Sequence, residues 1–270
     1  MRSRLVLATG LLVLLGAFDL DRLKPVARHF MPRGLIEISG LAVATPDSVF
    51  AHNDEHAIVY EVDLRSGKAV RAFALGDPTI PGDFEGIAVR DGRVYLITSD
   101  GMLYEAMIGA HRDRVRFHRY DTGVGAACEV EGLSASPEPE GFLILCKRAH
   151  EKRPNGQIEI YSWDLEDRTA AEVPAIDASV RALLSKEERR DFRPSGIEWD
   201  EPNRRLLIVS ARAQLIVALG FDGSLRGRRA LISGQHPQAE GITLMPDGRV
   251  VVADEGAGQG PGRITIFEGI

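Results

Sequence analysis

The stretch DFEGIAV, residues 83–89, decides the reading of this chain, together with the RDGRVYLITSDG that follows it over residues 90–101. An acidic residue stands directly before a glycine, at the head of an apolar run that turns at Asp91-Gly92 and runs back. The phrase recurs. ISGLAV (38–43), VEGLSA (130–135), PSGIEW (194–199) and AEGITL (239–244) align with FEGIAV (84–89). Their glycines, Gly40, Gly86, Gly132, Gly196 and Gly241, are 46, 46, 64 and 45 residues apart.

Each copy continues in the same way. A polar turn follows (TPDS, RDG, SPEPEG, DEPNRR, MPDG), then a second apolar run (VFAHND, VYLITSD, FLILCK, LLIVSA, VVVADEG), then an alternating run (AIVYEVDL, MLYEAMI, QIEIYSWDL, QLIVALGF, RITIFEGI). Period-two alternation between hairpin turns means antiparallel strands, three or four per repeat. A unit of about 45 residues with four strands is a propeller blade. The sequence therefore predicts an all-β, five-bladed β-propeller of four-stranded antiparallel blades over residues 37–270, with six blades as the alternative. Residues 21–36 form a lead-in, whose VARHFMPRGLIE would supply an outer strand closing the ring against the last blade. The 64-residue interval holds an insert, about 149–192. In it DASVRALLSKEERRDF reads as a short helix capped by Asp177, with Val180, Leu183 and Leu184 as its apolar stripe. The insert either packs on the propeller or overhangs one face and shapes a site.

Bulk composition agrees with strands and turns. Among 270 residues, aromatics are 6%, while glycines number 28 and prolines 14. The net charge of −6 argues against a nucleic-acid partner. Residues 1–20 carry two arginines and then an apolar run, Leu5 to Phe18, too short for a comfortable membrane span. It reads as a secretory signal, or else as an uncleaved anchor to the inner membrane and the sole membrane contact. A periplasmic or secreted location follows, and there the pair Cys128 and Cys146 is expected to form a disulfide.

The first strand of a propeller blade lines the central axis. Symmetry therefore gathers the residues before the glycines: Ser39, Glu85, Glu131, Ser195 and Glu240. Two carboxylates about 6 Å apart at an effective dielectric near 20 repel by roughly 3 kcal/mol. Protons, basic partners or a cation must compensate. Calcium takes six to eight oxygens at loosely defined angles, and no His/Cys spacing for zinc occurs. The ends of the second strands should open at the same mouth. They carry Asp54, Asp254 and Glu255 on one side and Lys147 and Arg212 on the other. A cation in the ring together with these basic groups, Ser39 and Ser195 would grip a small anionic ligand, a phosphate or carboxylate bridging the metal and the arginine fork. Alternatively, Lys147 and Arg212 neutralise the glutamates by themselves. His52 and His236 are the candidate general bases, His52 the leading catalytic one, although no nucleophile elbow or phosphate loop is present.

EISGLA, DFEGIAV with YLITSDG, CEVEGLS, RPSGIEWD with LLIVSAR, and AEGITLMPDGRVVVADEG together resemble the SdiA-regulated family of exported bacterial propellers. That family is distantly similar to NHL-repeat propellers and to the esterase-like phytase domain. The resemblance covers nearly everything after about residue 35. It implies a five-bladed propeller with a calcium site and no established activity, some related propellers being metal-dependent hydrolases. By motif match, Glu85, Glu131 and Glu240 are the leading metal candidates, with Asp54, Asp254 and Glu255 behind them, and Lys147 and Arg212 fall on the family's basic positions. The long third blade departs from the pattern and bears on ligand size. Three functions follow: a calcium-binding ligand or scaffold module of the cell envelope, with an envelope protein as one expected partner; a calcium-dependent hydrolase of phosphoesters or lactones; and a metal-free interaction platform.

Overall fold

The computed structural model describes residues 23–136, 140–232, 234–256, 258 and 260–269. The N-terminal leader expected over residues 1–20 lies outside them. Among the described residues no helix is long and apolar enough to cross a membrane.

The strands form five sheets, one per repeat, so the six-bladed alternative is set aside. The inner strands are Ile38–Thr45, Phe84–Arg90, Cys128–Ser136, Gly196–Asp200 and Ala239–Leu244, each opening on its repeated phrase. Each hairpins onto a second strand and that onto a third, as in Phe84–Arg90, Arg93–Thr98 and Met102–Met107. The outer strand of the fifth blade comes from the other end of the chain. Pro25–Phe30 pairs antiparallel with Arg263–Phe267 and closes the ring. The first blade gains a fifth strand, Arg114–Val115, which runs parallel to Lys68–Leu75 and is lent by the segment inside the second blade.

The core is divided into five apolar clusters, one between each pair of neighbouring blades. Every blade thus buries both faces, which is why second strands such as Gly141–Ala149 are continuously buried over their first six positions. Around the axis the inner strands come closer than side chains permit. A Cβ on Gly86 would lie 2.6 Å from the Leu133 nitrogen, and one on Gly196 would lie 2.2 Å from the Glu240 carbonyl oxygen. A Cβ on Gly241 would meet Leu41 and Gly40, bringing the contact back to the first blade. The repeated glycine is therefore a steric requirement of five strands crowding one axis.

The insert corrects one expectation. Residues 176–179 alternate buried and exposed and form a strand, Ile176–Ser179, on Gln157–Asp164. Asp177 is in that strand and accepts from Gln157, so it caps nothing. The helix is shorter, Lys186–Asp191, and Ser185 caps it through a reciprocal pair with Glu188. Val180 and Leu184 are buried as the stripe required, but in the turn before the helix, and Leu183 is only half-buried.

Candidate functional site

In four blades the residue before the glycine is the extra residue of a β-bulge. The register steps from Ile38 opposite Asn53 to Gly40 opposite His52, which leaves Ser39 unpaired in the ladder. Glu85, Glu131 and Glu240 occupy the same place in their blades. A bulge re-aims its side chain out of the strand's alternation, and here it does so at the axis. In the fourth blade the ladder starts at Gly196, and Ser195 stands just ahead of it. Its hydroxyl donates to the Ala239 carbonyl at 2.7 Å and accepts from the Ala211 N–H at 3.1 Å, tying the fourth blade to the fifth.

Below this ring the axis is closed. The void lined by Ser39, Glu85, Glu240 and the five repeated glycines measures about 10 Å³, room for about one water. Above it, a cavity of about 370 Å³ opens between the third, fourth and fifth blades, with Glu131, Glu240, Lys147, Arg148, Arg193 and Arg212 on its walls.

The acids are compensated from within. Lys147 Nζ sits 2.8 Å from Glu131 Oε2 and 3.7 Å from Glu129 Oε1, and Arg148 pairs with Glu129 at 2.9 Å. Burial works against the Lys147 charge, but Glu131, Glu85 and Glu129 outweigh it and raise its pKa. Ser39 donates to Glu85 Oε2 at 3.2 Å. Burial, followed by repulsion from Glu255, Glu131 and Glu85, pushes Glu240 up to about 9. Burial and the Glu85 charge push Glu131 up to about 8. Burial, with Lys147 opposing, takes Glu85 to about 7, and burial with the neighbouring Glu37 takes Asp54 to about 6. At neutral pH Glu240 thus holds a proton and hydrogen-bonds Glu255, which also accepts from Gln238 Nε2 at 2.5 Å.

A calcium ion at this ring would have to compete with these internal partners. Among the described residues no three His, Cys, Asp or Glu side chains form a group able to hold a metal. One oxygen of Glu131 faces Lys147, one of Glu85 faces Ser39 and Glu240 faces Glu255, while Asp54 Oδ1 is buried without a hydrogen-bond partner.

The remaining candidates are dispersed. Asp254 faces away from the ring, with His236 Nδ1 at 2.8 Å and Arg263 at 3.6 Å, all within the fifth blade. His236 and His52 are both fully buried. His52 Nδ1 lies 2.9 Å from the Asn53 carbonyl, and burial lowers its pKa to about 4, which suits a neutral structural imidazole better than a general base. Arg212 is exposed on the cavity wall, and no hydrogen bond or ion pair engages its guanidinium among the described residues. Cys128 and Cys146 form a disulfide with Cα atoms 5.8 Å apart, joining the strand of Glu129 and Glu131 to that of Lys147.

Sequence reasoning passed over a second ring. Glu37, Asp83, Glu129, Arg193 and Gln238 each stand three residues before a repeated glycine. Glu129, Arg193 and Gln238 line the cavity, while Glu37 and Asp83 act on Asp54 and Glu85 electrostatically. The same alignment that exposes the inner ring shows this one, read two positions earlier.

A family model described as SdiA-regulated matches residues 34–257. Among solved structures, the fold is similar to Myxococcus xanthus glutaminyl cyclase, at 14% identity over 90% of this chain and 94% of that one, with a TM-score of 0.59. It is also similar to a luciferin-regenerating enzyme, at 10% identity over 92% and 96%, TM-score 0.57. A Bacteroides thetaiotaomicron protein of unknown function matches at 15% identity over 87% of this chain and 56% of that one, TM-score 0.51. At these identities the likeness shows the fold alone.

Proposed function

The chain belongs to the SdiA-regulated family, and from that premise we propose that it is an exported ligand-binding β-propeller whose axial mouth takes a small anionic ligand. One observation carries the reading. The Arg212 guanidinium stands on the wall of the 370 Å³ cavity with no ion pair or hydrogen bond among the described residues, Asp191 acting on it only electrostatically, and the same wall carries a Glu240 carboxyl that holds its proton at neutral pH. The cavity's volume falls in the ordinary range for small-molecule sites, roughly 300–1,000 Å³. Arg193 adds a second cation, its Nη1 donating to the Phe192 carbonyl at 2.7 Å and Asp191 acting on it only electrostatically. A phosphate or carboxylate would accept from the Arg212 fork, beside a Glu240 carboxyl that, once protonated, carries no charge to repel it. Export is supported by the disulfide and by the apolar N-terminal run. Calcium and hydrolysis are given no role in this reading, because the carboxylates face internal partners and His52 lies away from the cavity.

Calorimetric titration of purified protein with phosphate, citrate and calcium chloride tests it. An anion should bind and raise Tm. Arg212→Gln should weaken it about tenfold, the loss of one charge-assisted contact. Affinity should fall from pH 6 to pH 9 as Glu131 and Glu240 ionise. If calcium stabilises the protein while neither anion does, or if Arg212→Gln binds as tightly as wild type, the reading is wrong.

A further inference from the structure

The 64-residue interval of the third blade builds a second wall beside the axial mouth. Ile176–Ser179 adds an outer strand, and the chain then turns back through Arg181–Leu183 and Lys186–Asp191. This return is anchored to the loop between the blade's second and third strands. Val180 N–H donates to the Gly156 carbonyl at 2.9 Å, Arg181 Nη1 donates to the Asn155 carbonyl at 3.0 Å, and Asn155 Nδ2 donates to the Arg190 carbonyl at 3.4 Å. Buried Val180, Leu184 and Phe192 fix it from beneath.

Between that loop and the returning segment lies a cleft of about 470 Å³. Its cations are Lys147, Arg148, Lys152, Arg153 and Arg193, and its acids are Glu151 and Glu159. Glu159 is already matched, with Arg153 Nε 2.8 Å from its Oε1, while Glu151 is 3.9 Å from the same arginine. His150 is held by the Gly125 carbonyl. No ion pair or hydrogen bond engages the Lys152 ammonium among the described residues. The cleft and the axial cavity share Lys147, Arg148, Arg193 and Pro194, so the two adjoin as a trough along a seam in which Lys147 and Arg148 are paired with Glu131 and Glu129.

We propose that this trough holds an elongated small molecule with two anionic groups, one at Arg212 in the axial mouth and one at Lys152 in the insert cleft. The proposal rests on the anion-binding reading of the mouth and extends it to a ligand class. Phosphate and carboxylate groups share the chemistry, so both are probed.

The experiment compares orthophosphate with tripolyphosphate, and acetate with glutarate, by calorimetric titration of the full folded protein at fixed salt. The longer, doubly anchored member of a pair should bind about tenfold or more tightly than its short partner. Which pair shows the gain tells phosphate from carboxylate. Lys152→Gln should remove most of that gain, about fivefold or more, and leave the short anion unchanged. Arg226→Gln, on the outer strand Leu225–Ala230 of the fourth blade, should alter neither and so excludes non-specific attraction. If the short anions bind through Arg212 but the long ones gain nothing, or if Lys152→Gln changes nothing, the second subsite is refuted and the mouth survives. If no anion binds at all, the mouth falls and the subsite with it.

Discussion

Lys147 is where the chemistry of this ring converges. Its ammonium faces Glu131, whose side chain is only 4% exposed, so removing the cation leaves a buried carboxylate with less compensation. Breaking a fully buried pair costs about 3–5 kcal/mol; because the Lys147 side chain is 37% exposed, solvent reduces this, and Lys147→Met should cost about 2 kcal/mol at pH 8, read by urea denaturation. Glu131→Gln removes a repulsion with Glu85 together with the pair and should cost less at the same pH. The glycines give an equally sharp contrast. In Gly86→Ala the new Cβ meets backbone at 2.6 Å, whereas in Gly132→Ala its nearest neighbour is the Ile197 Cγ2 methyl at 3.1 Å. Overpacking costs rise when nothing can give, so the first should lose about 3 kcal/mol and the second about 1 kcal/mol. Equal losses would mean the ring is not as rigid as its geometry requires.

At the scale of elements, the hairpin of Cys128–Ser136 and Gly141–Ala149 has both of its register shifts at one end, at Glu129/Val130 and Val130/Gly132. The disulfide spans that irregular end, across a sequence separation of 18 residues. In the chain-entropy model a loop of this size contributes about 3 kcal/mol, so Cys128→Ala/Cys146→Ala should lower Tm by about 6–12 °C. Because the bridge flanks Glu129 and Lys147, the same variant should also weaken anion binding at the mouth. Helix Lys186–Asp191 hangs on Ser185, and Ser185→Ala should cost about 1 kcal/mol locally, seen as faster hydrogen exchange across the insert.

The whole ring carries a pH dependence of predictable sign. Glu85, Glu131, Glu198 and Glu240 have native pKa values of about 7, 8, 8 and 9, against 4.5 as the ordinary value. Burial is the main cause in each. Glu198, at the other end of the inner strands, accepts from Thr243 Oγ1 at 3.1 Å and from the Leu244 N–H at 3.3 Å. Between pH 4.5 and 9 the folded chain therefore binds more protons than the unfolded one, and stability falls as pH rises. Melting temperature should peak near pH 5 and drop by several degrees or more towards pH 9, with the drop shallower in Glu240→Gln. A Tm that climbs through this range would contradict the axial burial of these acids. Ring closure is testable at the same scale. Deleting residues 23–31 removes the outer strand of the fifth blade, with buried Leu23 and Met31, and exposes the edge of Arg263–Phe267. Such a chain should aggregate or show new proteolytic cuts between residues 239 and 269.

The amino-acid sequence by itself determined the all-β repeat and the inner-strand positions, and made five blades and a Cys128–Cys146 bridge the leading expectations, because spacing and period-two patterning are local and the five glycine phrases repeat them. It also carried the second polar ring, three residues before each glycine, in plain view. Tertiary structure alone decided the rest. The bulges that point Ser39, Glu85, Glu131 and Glu240 at the axis depend on strand register, which is a property of two segments and not of one. Whether Glu131 meets Lys147, a cation or water depends on how blades converge, and so does the proton that Glu240 keeps. The insert shows the limit of local reading: Asp177 has the chemistry of a helix cap, but the exposed edge of Gln157–Asp164 offered its segment a ladder, and pairing there overrode it.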